Sequence, residues 1–387
     1  MTSLIGRGKQ PVARDTSSPT STWRFDTRLA SKGTAALRGV TALSTHESWA
    51  VGSEVDPATD LERALVGRWN GGFAFVPAAP ADPSEQVRLI GVDSAGDEVW
   101  AVGQVSDCDG GWRTRIERYH RQPTARCADA VVSPSSDRDS ALHGVAMVSA
   151  TDGWAVGGSG PGSGADFTRT LIARWDGTAW CPVPSPSPGT GTNQLDAVAA
   201  RASDDVWAVG HSTSAASADR AEALVLHWDG SSWDQVPVPD SGAAGDQLLG
   251  IAFAGPEEIW AVGTSLLDSA GADDQHAALA LRWDGSAWQV LRPAAPATQF
   301  SAATATSATD VWFAGYAQRP GGPETANIEH WDGQQLDQQQ TGIHSRSGHV
   351  ASALSAVAAA GDRLIAVGWR VAASAPTQLP AALLGRD

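Results

Sequence analysis

The alternation of hydrophobic and polar positions along this chain divides it into short strands, and the division recurs. Its clearest stretch opens with Leu195-Asp196-Ala197-Val198-Ala199-Ala200, a first strand followed by the turn Ser203-Asp204-Asp205. Val206-Trp207-Ala208-Val209-Gly210 is a second strand, rich in residues that suit a pleated, buried surface. A polar loop from His211 to Glu222 leads to a third strand, Ala223-Leu224-Val225-Leu226-His227-Trp228. Asp229-Gly230 then marks a two-residue hairpin of the kind that needs positive φ. Ser232-Trp233-Asp234-Gln235-Val236 is a fourth strand, stopped by Pro237. The second and third strands are apolar on both faces, as in sheets packed between two neighbours. Helical spacing is absent.

The same order fills the chain. Trp-Ala-Val-Gly stands at Trp49–Gly52, Trp100–Gly103, Trp154–Gly157, Trp207–Gly210 and Trp260–Gly263, then returns as Trp312–Gly315 and Ile365–Gly368. The steps are 51, 54, 53, 53, 52 and 53 residues. A period near fifty with four strands per copy is that of a propeller blade. The chain stops at a third strand, Ala382-Leu383-Leu384-Gly385, while Thr22-Trp23-Arg24-Phe25 matches the fourth-strand pattern. The expected fold is therefore all-β: a seven-bladed β-propeller of four antiparallel strands per blade. Residues 22–387 form one domain, with strand 22–27 joining the last blade to close the ring and remove exposed sheet edges.

On these residues two resemblances can be stated. The strand order, the Gly after the second strand and the fourth-strand Trp are similar to kelch repeats. Trp-Ala-Val-Gly followed by Asp-Gly-x-x-Trp (Asp176 to Trp180, Asp229 to Trp233, Asp284 to Trp288) resembles the Asp-box propellers of the photosystem II assembly factor and sialidase type. The repeat also looks like a kind widespread in actinobacteria. These relatives include binding scaffolds, assembly factors and enzymes, so the resemblance implies the fold and leaves the function to the site.

Composition narrows the partners. Only 27 Lys and Arg face 43 Asp and Glu, a net charge of −16. Such a surface repels phosphate backbones and anionic lipid, so neither nucleic acid nor a membrane is expected as a partner. Cys108, Cys127 and Cys181 show no metal-ligand spacing and read as ordinary thiols; no metal and no cofactor is expected. Residues 1–21 are rich in Ser, Thr and Pro and hold Arg7, Lys9 and Arg14 without a following apolar stretch. They read as a flexible tail rather than a secretory signal, so a cytoplasmic monomer is expected.

What every blade shares serves the architecture. Fifteen of the 17 Trp fall at repeat positions. A basic residue precedes each third-strand aromatic (Arg68, Arg118, Arg174, His227, Arg282, His330, and Arg386 at the end), and an acidic one precedes each second strand (Glu47, Glu98, Asp152, Asp205, Glu258, Asp310, Asp362). The two series are expected to pair within blades.

Function is then sought where the copies differ. The connections between second and third strands are long, varied and on one face of the disc. At that face the residue after the first Leu or Phe of each inner strand reads Arg38, Ile90, His143, Asp196, Leu249, Ser301 and Ser355. The residue after each second-strand Gly reads Ser53, Gln104, Gly158, His211, Thr264, Tyr316 and Trp369. From these we select Arg38, Gln104, His143, Asp196, His211, Tyr316 and Trp369 as ligand-binding candidates, with Trp112 as an exposed candidate for a protein contact. A one-residue shift would turn the inner-strand set into the blade interface.

Two readings follow. The preferred one is a non-catalytic scaffold holding a protein or small-molecule ligand over the variable face. The alternative is a lyase- or cyclase-type enzyme at the channel mouth using His143, His211 and Asp196, since seven-bladed lyases of the virginiamycin B lyase type resemble the expected fold. No nucleophile elbow, phosphate loop or His-Glu-x-x-His motif is present.

Overall fold

A computed structural model describes residues 23–25, 33–106, 110–121, 128–131, 134, 139–160, 167–239, 241, 244–267, 275–291, 293, 299–319, 321–341, 349–372 and 375–385. The tail 1–21, Cys108, Cys127, Asp387 and Arg386 lie outside them. Seven four-stranded antiparallel sheets follow one another. The first consists of Ala35–Ser44, Glu47–Val55, Glu62–Trp69 and Phe73–Val76. The fourth consists of Asn193–Ala202, Asp205–Ser214, Ser217–Trp228 and Trp233–Gln235. The last stretch of chain supplies three strands to the seventh sheet, His349–Ala360, Arg363–Ala372 and Ala375–Gly385. Its fourth is Arg24–Phe25, with Arg24 opposite Leu384 and Phe25 opposite Leu383. The ring is thus a seven-bladed β-propeller sealed by its N-terminal strand.

The core is divided into slabs between blades. Trp154 of the third blade sits against Trp228 and Trp233 of the fourth, with ring centroids 5.0 and 5.3 Å apart. Trp100 meets Trp175 and Trp180 at 4.8 and 5.6 Å, and Trp207 meets Trp283 and Trp288 at 5.3 and 5.9 Å. These are the tilted and edge-on spacings that aromatic quadrupoles favour. The Trp of Trp-Ala-Val-Gly therefore docks one blade into an aromatic cage of the next, which explains its recurrence. At the closure Trp23 takes the same role, 5.9 Å from Trp312 and only 6% exposed.

The repeated charges pair in six blades. Arg68–Glu47 (2.8 Å), Arg118–Glu98 (3.5 Å), Arg174–Asp152 (3.0 Å) and Arg282–Glu258 (2.9 Å) are joined by His227–Asp205 (3.0 Å) and His330–Asp310 (2.8 Å). Each basic side chain also lies on the Trp opposite it in the sheet, the Arg174 guanidinium over Trp154 at 5.1 Å and the His227 ring stacked on Trp207 at 4.4 Å. The seventh blade departs from the expectation. Its register puts Leu384 and Ile365 where Arg174 and Trp154 stand in the third blade, so Arg386 is one residue past the third-strand aromatic position, which Gly385 holds. Arg363, in place of the carboxylate, lies 3.9 Å over Trp69 of the first blade and donates to the Thr45 carbonyl.

Two turn features also differ from the pattern. The Asp-Gly loops run four residues, from Asp176 to Ala179 between the paired Trp175 and Trp180. Gly177 does take φ +92°, but the Asp176 carboxylate closes the loop by accepting from the amides of Thr178 and Ala179, both at 2.8 Å. In the second blade, which lacks this turn, Arg121 instead reaches back to Glu47 of the first blade at 2.6 Å. Burial pushes the Glu47 carboxyl up, but its bonds to Arg121 and Trp49 and the charge of Arg68 outweigh that and hold it below the usual range.

Candidate functional site

One backbone device aims the site. In all seven inner strands the pairing with the second strand skips a residue right after the first Leu or Phe, between Leu37 and Gly39, Leu89 and Gly91, Leu142 and Gly144, Leu195 and Ala197, Leu248 and Gly250, Phe300 and Ala302, and Leu354 and Ala356. The skipped residue of this β-bulge is Arg38, Ile90, His143, Asp196, Leu249, Ser301 or Ser355. A bulge re-aims a side chain. While the preceding Leu or Phe is sealed between blades, these seven line a central channel of about 400 Å³. The inner-strand set therefore faces the channel and not the blade interface.

The bulge also accounts for the glycine of the repeat. A Cβ on Gly210 would lie 2.0 Å from the carbonyl oxygen of Gln194, and Gly52, Gly103, Gly157, Gly263, Gly315 and Gly368 face equivalent carbonyls at 1.8–2.0 Å. No side chain fits there. Beyond that Gly the second strand continues, to Ser214 in the fourth blade, and Ser217–Trp228 pairs back along it. The polar loop expected from His211 to Glu222 is thus a tall hairpin rising from the face.

Three of the candidates come together. The Asp196 carboxylate accepts from Gln194 Nε2 at 2.6 Å and from His211 Nδ1 at 3.2 Å. His143 Nδ1 lies 3.8 Å from the same carboxylate and 3.1 Å from the carbonyl oxygen of Leu195, in the neighbouring blade. A carbonyl can only accept, so His143 carries a proton on Nδ1. All three acid and imidazole side chains are 13–14% exposed. Arg38 stands elsewhere on the channel wall, and burial with help from Arg88 lowers its pKa against the pull of Glu62.

The other candidates do not join them. Gln104 pairs with Arg88 and Thr114, Tyr316 with Gln299 and Ala326, and Trp369 with Ala353 and Pro380, all along second strands and none on the channel wall. Burial, then the charge of Glu324, raises the Tyr316 pKa. Trp112 is half-buried rather than exposed, with the Arg88 guanidinium 5.5 Å over its ring. Sequence reasoning missed Gln194 and Gln299, which sit two positions before Asp196 and Ser301. The period of two in a strand is the signal that would have found them.

A second cavity, about 600 Å³, opens on the short-turn side between the fourth and fifth blades and is lined by Trp207, Asp205, His227, Arg201 and Trp283. Its polar lining holds the ion pair of the repeat, extended by an Arg201–Asp205 contact, together with Asp204, Asp229 and Glu257 of the turns. It is built from what the blades share, so we read it as architecture. Among the described residues no three His, Cys, Asp or Glu side chains converge as metal ligands, and no helix is long and apolar enough to cross a membrane.

No protein-family model matches this chain, and no curated protein is similar to it in sequence. Solved structures share the fold. The chain is similar to YCF48 bound to D1 peptide, at 12% identity and TM-score 0.55 over 93% of this chain and 96% of that one. It is also similar to the β-propeller domain of the trilobed protease from Pyrococcus furiosus, at 9% identity and TM-score 0.53 over 90% and 93%. A third is YjhT, at 11% identity and TM-score 0.52 over 81% and 99%. At these identities the likeness is one of fold.

Proposed function

We propose that this propeller is a non-catalytic binding protein that holds a small molecule or a segment of a protein partner at the channel mouth on its tall-hairpin face. One observation carries the reading. The bulge repeats in every blade, yet the residues it aims into the channel break the pattern, and they include an arginine, a histidine and a braced aspartate. Variable side chains on an invariant frame are how binding sites are built. The structure of YCF48 with D1 peptide shows a propeller of this kind holding a peptide, in keeping with a protein partner here. The test is native mass spectrometry and pull-down with the wild-type chain and with His143→Ala, Asp196→Ala and His211→Ala. Loss of the captured species with unchanged circular dichroism supports the site. Retention in all three variants contradicts it.

A lyase or cyclase at the same mouth is the second reading, favoured by the two imidazoles around Asp196, which are arranged to move a proton. It requires turnover that Asp196→Asn abolishes while binding persists.

A further inference from the structure

The channel carries opposite charges on opposite walls. Arg38 belongs to the inner strand Ala35–Ser44 and Asp196 to Asn193–Ala202, with Val87–Ala95 and Ser140–Ser149 between them around the ring. Three steps of a seven-membered ring separate the two residues, which is nearly its full width. Asp196 is braced by Gln194 and His211. Arg38 is not braced. It makes no hydrogen bond or ion pair with any described residue, and its Nε is buried without a partner. The carboxylate whose charge acts on it, Glu62, is already held by Arg88 Nε and Nη2 at 2.9 and 2.6 Å. A desolvated, unpaired cation costs stability, and such costs persist where function needs them.

We propose that the channel binds a small dipolar ligand, with a compact anionic end, carboxylate or phosphate, on Arg38 and an ammonium or hydroxyl end on Asp196. This rests on the reading of the channel mouth as a binding site and names what the site takes. The volume of about 400 Å³ suits a small molecule. Ile90 and Leu249 supply apolar wall between the two ends, and Ser301 and Ser355 add hydroxyls. Two charged anchors on a rigid ring select for the distance between the ends of the ligand. A molecule with one end only loses one anchor.

The experiment is thermal melting of the full chain with millimolar glycine, β-alanine, γ-aminobutyrate, ε-aminocaproate and phosphoethanolamine, against butyrate and butylamine. The expected result is a rise of roughly 2 °C or more for one spacing, with a smaller rise for the one-ended probes. Phosphoethanolamine against the amino acids tells phosphate from carboxylate. Arg38→Met and Asp196→Asn each remove the rise. Without any probe, Arg38→Met melts at or above the wild type, because it removes an unpaired charge. No rise with any two-ended probe, an equal rise with butyrate, or a ligand-free Arg38→Met that melts several degrees lower overturns the proposal. If partner capture survives Arg38→Met while every probe fails, this proposal falls and the broader binding reading stands.

Discussion

The carbonyl oxygen of Gln194 occupies the space where a Cβ on Gly210 would sit, 2.0 Å away. The contact ties the most regular residue of the repeat to its least regular one, because the same bulge that pushes that carbonyl inward turns Asp196 into the channel. Gly210→Ala is therefore expected to destabilise the fold by about 1–3 kcal/mol or more, since backbone must move. At Gly255 the nearest atom to an added Cβ is 3.8 Å away, so Gly255→Ala is the matched control and should be close to neutral. Chemical denaturation of both variants checks this. Equal midpoints would mean the bulge is not held by the glycine.

Arg174 and Asp152 join adjacent strands by two hydrogen bonds, of 3.0 and 3.3 Å. A buried pair would lose ~3 kcal/mol or more on removal of one partner. Here the arginine is 36% exposed, so solvent screening brings the expected coupling to about 1 kcal/mol. A double-mutant cycle on Asp152→Ala and Arg174→Ala measures it. A coupling of zero would reduce the six pairs to crowding on the tryptophans.

Closure depends on one aromatic. Trp23 is packed edge-on against Trp312 and fills the space above Gly385, whose added Cβ would meet its ring at 3.0 Å. Trp23→Ala is expected to cost about 3 kcal/mol or more. Deleting residues 1–20 should leave the melting temperature nearly unchanged, whereas deleting 1–28 should lower it by stripping the strand. Equal melting of the two truncations would contradict the closure.

The Asp-Gly loops predict a titration. In Asp229 the bond from the Ser232 amide leads, followed by the Ser231 hydroxyl and amide, and together they hold the carboxyl at about 2, below the ordinary ~3.9. The folded pKa lies below the unfolded one, so the stabilisation is complete above ~4 and fades as the pH falls toward 2. Carboxyl carbon shifts followed by NMR should show Asp229, Asp176 and Asp284 titrating near 2. Midpoints near ~3.9 would mean the loops are open in solution.

The blade count, the closing strand and six of the charge pairs were legible because each leaves a mark at a fixed spacing. Asp152 and Arg174 recur at the same step, so their pairing could be read without coordinates. The bulge left only the glycine as its trace, and Gly210 alone does not reveal the carbonyl of Gln194 across the sheet. Period-two reasoning assumes unbroken pairing, which is why the direction of Asp196 stayed open and the hairpin beyond His211 looked like a loop. In the seventh blade, Arg386 matched the expected residue type two positions past the one that Leu384 holds. There the pairing of Ile365 with Leu384 decides, and a sequence does not display it.

Hydrogen exchange on the protein with and without its captured ligand or partner tests the central claim most directly, that function lies where the seven-fold pattern breaks. The expected result is slowed exchange at the mouth ends of the inner strands, around Arg38, His143 and Asp196, and in the hairpin that His211 begins. Slowing confined to the Asp-Gly loops and the cavity around His227 and Trp283 would place the site on the opposite side of the disc and contradict the claim.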